Sequence, residues 1–124
     1  MIRELLRIWQ EQVFTRNIVN EFLHMLDYSE EMLSYALKVI VNKGKGKKSD
    51  QNIYFKDQKI NITERDIRAR ILIHLSVNPG GNIPASLALV GLAKDAERLG
   101  DYVKNLFELN AMIRDFENDD EMFK

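Results

Sequence analysis

An all-α chain folded as an antiparallel three-helix bundle is what this sequence predicts, on three observations. Apolar residues recur at three- and four-residue steps through three long segments. Gly and Pro gather mainly in two places between those segments, and no alternating run has a second run to pair with as a sheet. At 124 residues the chain makes one domain, taken as 1–118 with an acidic tail at 119–124.

The first segment carries Ile18, Phe22, Met25, Ser29, Met32, Leu33, Ala36, Leu37, Ile40 and Val41 on one helical stripe. It predicts a long helix over much of residues 2–42, with a break near Phe14-Thr15-Arg16. In the second, Ile53, Ile60, Ile67, Ile71 and Leu75 fall within about 60° of one another at 100° per residue, so a helix runs from near 52 to 76. The alternating Ile60-Asn61-Ile62-Thr63 lies inside that periodicity and belongs to the helix. Val77 to Asn82 must turn, because Pro79 disfavours helix at Asn78 and Gly80-Gly81 is a poor helix former. Pro84 suits a first helical turn, and from there Leu87, Leu92, Ala96, Leu99, Val103, Leu106, Met112, Ile113 and Phe116 carry a third helix to about 117.

Composition excludes several kinds of chemistry. Without Cys there are no disulfides, thiolate metal sites or cysteine nucleophiles. A net charge of -1 offers no field to gather nucleic acid or an acidic membrane. The longest apolar run, Ile83 to Ala93, is about half of a membrane span, and charges interrupt the first residues where a signal peptide would be apolar. These features predict a soluble, intracellular protein. The basic stretch 43–48 lacks the spacing of a phosphate-binding loop and reads as a solvated connector, and the acidic stretch 115–121 reads as a frayed terminus. His24 and His74 stand alone, with no metal-pair spacing, and no nucleophile arrangement is present, so the chain reads as a non-enzyme.

One constellation stands out. Glu97, Asp101 and Asn105, with Asp95 beside them, repeat at i, i+4, i+8 along the third helix, drifting about 40° per step. Stacked carboxylates repel by roughly a few tenths of a kcal/mol unless a cation lies between them. With Leu92 as the centre of the apolar face, Glu97 and Asp101 fall about 140° and 180° away, on the outside of the helix. Spacing alone therefore favours a solvated face with Arg98 and Lys104 as counter-charges. The second helix adds Asp57, Asn61 and Glu64 at similar spacing, flanking its own apolar stripe. If these two helices run antiparallel, the two oxygen stripes converge on one edge and suit Mg, Ca, Mn or Fe. Gly100, costing about 1 kcal/mol in a helix interior, points to something lying close to the backbone between Glu97 and Asp101.

The segment Leu92-Ala93-Lys94-Asp95-Ala96-Glu97-Arg98-Leu99-Gly100-Asp101-Tyr102-Val103-Lys104-Asn105-Leu106 resembles the most recognisable stretch of the PhoU family, the accessory and regulatory proteins of phosphate uptake. Asp57 to Glu64 is similar to that family's second-helix pattern, and Ile83-Pro84-Ala85-Ser86-Leu87-Ala88-Leu89 fits its third-helix start; together the likeness covers 53–108. The resemblance implies a non-enzymatic, cytoplasmic regulator of phosphate uptake and signalling that contacts a transporter ATPase subunit and a sensor kinase. It implies metal ligands at Asp57, Asn61, Glu97 and Asp101, holding a divalent or trivalent ion (Fe, Mg, Mn or Zn), with no organic cofactor, no nucleic acid and no membrane insertion. Asn61 stands where a second carboxylate is usual, which lowers the ligand charge. One repeat stands where the family commonly has two, which implies a homodimer. The rival reading is a structural helical module with no bound metal.

Overall fold

The structure is a computed structural model that describes residues 1–42 and 50–122, with side chains described for 1–42 and 52–116. Three helices follow one another: α1 (Ile2–Val41), α2 (Asp50–Val77) and α3 (Ile83–Met122). Neither α1 nor α2 contains Gly or Pro, and the hydroxyls that could disturb them bond back to the preceding turn, Ser29 to the Met25 carbonyl and Thr63 to that of Lys59. Accordingly α1 is unbroken through Phe14-Thr15-Arg16, where a break was expected.

The α2–α3 turn forms as its sequence dictates. Asn78 closes α2 by donating its N–H to the His74 carbonyl, and Gly81 N–H reaches back to the Asn78 carbonyl across Pro79-Gly80. Asn82 then caps α3 through its side-chain oxygen, which accepts the Ala85 N–H at 3.2 Å. At its far end α3 continues to Met122, so the backbone of 119–122 is helical. The connector at 43–48 and the side chains of 117–121 lie outside the described residues.

Cross-helix pairs fix the directions. Lys56 meets Glu31 at 2.7 Å, Arg70 meets Glu21 at 2.8 Å and His74 meets Glu11 at 2.7 Å, so α2 descends as α1 rises. The Tyr54 hydroxyl donates to Glu108 at 2.9 Å and Lys104 pairs with Asp57 at 3.2 Å, which sets α3 antiparallel to α2 and parallel to α1. All three helices touch each other around one core.

That core has a seven-residue repeat: Ile18, Met25, Met32 and Val39 on α1; Ile53, Ile60 and Ile67 on α2; Ala93, Gly100 and Phe107 on α3, with Ala96 and Val103 between. Such a repeat holds long helices together at a shallow crossing angle. The isoleucine stripe of α2 is where the sequence put it. On α3 the centre of the buried face is Gly100, not Leu92. Leu87, Leu92, Leu99, Leu106, Met112, Ile113 and Phe116 are exposed, as are Leu33, Leu37 and Val41 on α1. Small residues sit at the centre because close helix approach leaves no room for leucine there, and the larger apolar residues are turned outward.

Candidate metal centre

The buried face of α2 reads Ile53, Asp57, Ile60, Glu64, Ile67, Ile71, alternating steps of four and three, so two carboxylates occupy core positions. Asp57 is 5 % exposed and Glu64 4 %. Asp57 faces α3, whose glycine at position 100 lets α2 come close: a Cβ there would lie 3.1 Å from Ile60 Cδ1 and 3.7 Å from Asp57 Oδ1. The group lying close to the Gly100 backbone is therefore a side-chain pair from α2.

A buried carboxylate needs a counter-charge or hydrogen bonds. Asp57 receives Lys104 Nζ at 3.2 Å and the Asn61 amide at 3.5 Å, both on Oδ2. Its other oxygen, Oδ1, is buried with no hydrogen-bond partner. Lys104 also lies 3.8 Å from Asp101 Oδ1 and so bridges a carboxylate on each helix. Burial works to lower the pKa of its ammonium, but the hydrogen bond to Asp57 and the charges of Asp57, Asp101 and Glu108 outweigh that and hold it above the ordinary lysine value.

Glu97 and Asp101 form a second pair on α3 itself. Centred on Gly100, Glu97 falls about 60° and Asp101 about 100° from the middle of the buried face. The pair thus borders the core rather than lying opposite it, as the Leu92-centred wheel had placed it. Burial raises the pKa of the Asp101 carboxyl, and the hydrogen bond shared with Glu97 and the charges of Glu97 and Asp57 raise it further against the pull of Lys104. For Glu97 burial also acts upward, but hydrogen bonds with Lys94 and Asp101 prevail and hold it below its ordinary value; Lys94 Nζ is 3.0 Å from Oε2. Of the two, Asp101 is therefore the carboxyl that keeps its proton to the higher pH, and Glu97 the one that ionises first.

The four residues expected as ligands lie along the α2–α3 edge, with Asp57 and Asp101 on Lys104, Asn61 on Asp57 and Glu97 beside Asp101. Asn105 and Asp95 turn away to solvent, Asp95 toward Arg98 at 3.8 Å. Glu64 is held by Arg68 at 3.7 Å. Among the described residues no three His, Asp or Glu side chains are gathered closely enough to hold a metal ion as they stand. The donor set nonetheless contains what a hard cation uses, an orphaned buried carboxylate oxygen beside a second carboxyl, provided that the Lys104 ammonium swings out.

Sequence reasoning missed two features. His74 stacks on Phe14, with ring centroids 3.8 Å apart, and its Nε2 meets Glu11, which ties α2 to the first half of α1. Beyond it a cavity of about 800 Å³ lies between α1 and the α2–α3 turn, lined by Arg7, Thr15, Arg16 and residues 77–82. Neither carries a local signal, since the partners lie far apart in sequence. His24 is exposed on α1.

No curated protein and no solved structure matches the chain. The family model described as the PhoU domain matches residues 22–109, from the middle of α1 through all of α2 to Leu109 of α3. It spans the Asp57–Asn61 and Glu97–Asp101 pairs and the Lys104 between them, and on that match the chain belongs to the PhoU domain family.

Proposed function

We infer that this chain is a non-enzymatic regulator of phosphate homeostasis, working in the cytoplasm as a homodimer through contacts with a phosphate transporter's ATPase subunit and a sensor kinase. The observation that carries this reading is the PhoU domain match over 22–109, since the PhoU family is regulatory and related to phosphate homeostasis. Surface chemistry supports a protein-contact role. The outer face is rich in half-exposed leucines, and among the described residues no helix is long and apolar enough to cross a membrane. The role is tested by deleting the coding gene and following phosphate uptake through a shift from scarcity to excess. Loss of the normal down-regulation is expected, and unchanged uptake overturns the role.

The acidic edge is the metal-binding part of the reading, with Asp57, Asn61, Glu97 and Asp101 supplying oxygens to Fe, Mg, Mn or Zn. Protein purified without chelator and analysed for its elements should carry such an ion, and Glu97→Gln with Asp101→Asn should lose it. Added metal should raise the Tm of the unaltered protein by mass action. A metal-free protein whose Tm ignores all four ions would leave the rival reading, a structural helical module. One observation favours that rival: Lys104 already supplies a cation at the place where the ion would sit.

A further inference from the structure

The bundle has three lateral flanks, and only one is apolar. Where α1 meets α2, and where α2 meets α3, charged pairs line the edge. Beside the α1/α3 groove, α1 presents Val19, Leu26, Leu33 and Ile40 at seven-residue steps, with Leu23 and Leu37 one position further out. Across the groove α3 presents Leu92, Leu99, Leu106 and Ile113 at the same steps. A seven-residue repeat is what seats one helix against another, and this one is separate from the repeat that builds the core.

The seam also continues past the body of the molecule. Arg7 and Glu11 already lie beside the α2–α3 turn, so α1 reaches beyond the other two helices at its first residues, for roughly 7 Å at 1.5 Å per residue. At this end of α1 Leu5 and Trp9 continue the seam, 64 % and 62 % exposed. With the half-exposed leucines behind them they make this the apolar flank of the bundle, and apolar surface gathered on one face marks a contact site.

Charge identifies the occupant. Two charged residues interrupt the outer seam of α1, Arg16 and Glu30, and they lie at equal distances on either side of Leu23, seven residues each way. Both are exposed, and neither has an ion-pair partner among the described residues. We propose that the α1/α3 flank pairs with the same flank of a second copy, with the two α1 helices antiparallel and Leu23 at the twofold axis. Each Arg16 then faces Glu30 of the partner subunit, and Leu5 and Trp9 cover Ile40 and Leu37 of the partner subunit. A parallel pairing would set like charge against like. Self-complementarity of this kind is what a closed twofold interface requires. The proposal gives a geometry to the dimer of the proposed function and rests on that reading only for the dimer's existence.

The missing cysteines make the test direct. Leu23→Cys places a single thiol in each chain, and mild oxidation should give a disulfide-linked dimer, whereas Leu72→Cys, exposed on α2, should not. In sedimentation, Arg16→Glu alone should weaken dimerisation about tenfold or more through like-charge contact, and adding Glu30→Arg should restore it. Circular dichroism of each variant confirms that the helices are retained. A dimer that neither cross-links at position 23 nor responds to the charge reversals overturns this face while sparing the dimer. A monomer at every concentration examined overturns both, and neither result touches the phosphate role.

Discussion

The two sides of α3 solve opposite problems with the same heptad spacing. Toward α2 the helix offers Glu97, Asp101, Lys104 and Glu108, and the carboxylates of α2 are drawn into the core to meet them. Toward the outside of α1 it offers Leu92, Leu99, Leu106 and Ile113, which no described residue covers completely. The polar side closes within one chain, through Lys104 on Asp57 and the Tyr54 hydroxyl on Glu108. The apolar side stays open. Position relative to a neighbouring helix, more than residue type, decides which groups a bundle buries: Asp57 is buried while Leu87 is exposed.

Three tests sharpen that contrast, in descending order of effect. Lys104→Ala removes the only cation on Asp57 among the described residues and should cost about 1–3 kcal/mol in denaturant unfolding, as expected when a buried charged acceptor loses its partner. A second change, Asp57→Leu, should recover most of that loss, and simple additivity of the two would break the claim that they act as a pair. The pair also sets an alkaline limit. Because the folded Lys104 holds its proton above the ordinary value of 10.5, its contribution is complete below pH 10.5 and fades as pH rises through the folded value, a phase that Lys104→Ala should lack.

Asp101→Asn comes next. Above 3.8 the folded chain still holds a proton on Asp101 that the unfolded chain has released, so this residue subtracts stability as pH rises through that window. The asparagine variant should lack the decline and gain roughly a few tenths of a kcal/mol at neutral pH, a small figure because the side chain is more than one-third exposed and solvent screens it. Smallest is Tyr102→Ser, 69 % exposed and one turn along α3 from Leu99, which should stay within about 0.5 kcal/mol for the dilute protein. A larger loss there would mean that the apolar flank is needed by the single chain.

Much of the architecture is legible in the sequence. Isoleucines seven apart at 53, 60 and 67 have one structural meaning, and Pro79-Gly80-Gly81 followed by Asn82 and Pro84 spells a turn and a capped helix. The centre of α3 is not legible by the same means. A wheel weighted by hydrophobic bulk is drawn to the leucines at 92, 99 and 106, whereas the buried positions belong to Ala93, Ala96 and Gly100, whose smallness matters only once a second helix approaches. The edge residues were found by spacing, but their burial was not. Asp57 stays inside because Lys104 comes to it from the next helix, a partner that no local pattern announces. Gly100 gave the nearest hint, since a helix-interior glycine marks close approach without saying of what.

The direction of the helices has an electrical consequence. Since α1 and α3 run the same way, each 40 residues long, and the 28-residue α2 runs against them, the backbone dipoles cancel only in part. A single chain therefore keeps the polarity of about one helix, roughly half a positive charge at the end holding the α2–α3 turn and half a negative charge at the other. Set head to tail, two chains form an assembly whose two ends are electrically alike, so an ion or a docking protein approaching along the axis meets the same field from either side. One chain alone would present two different ends.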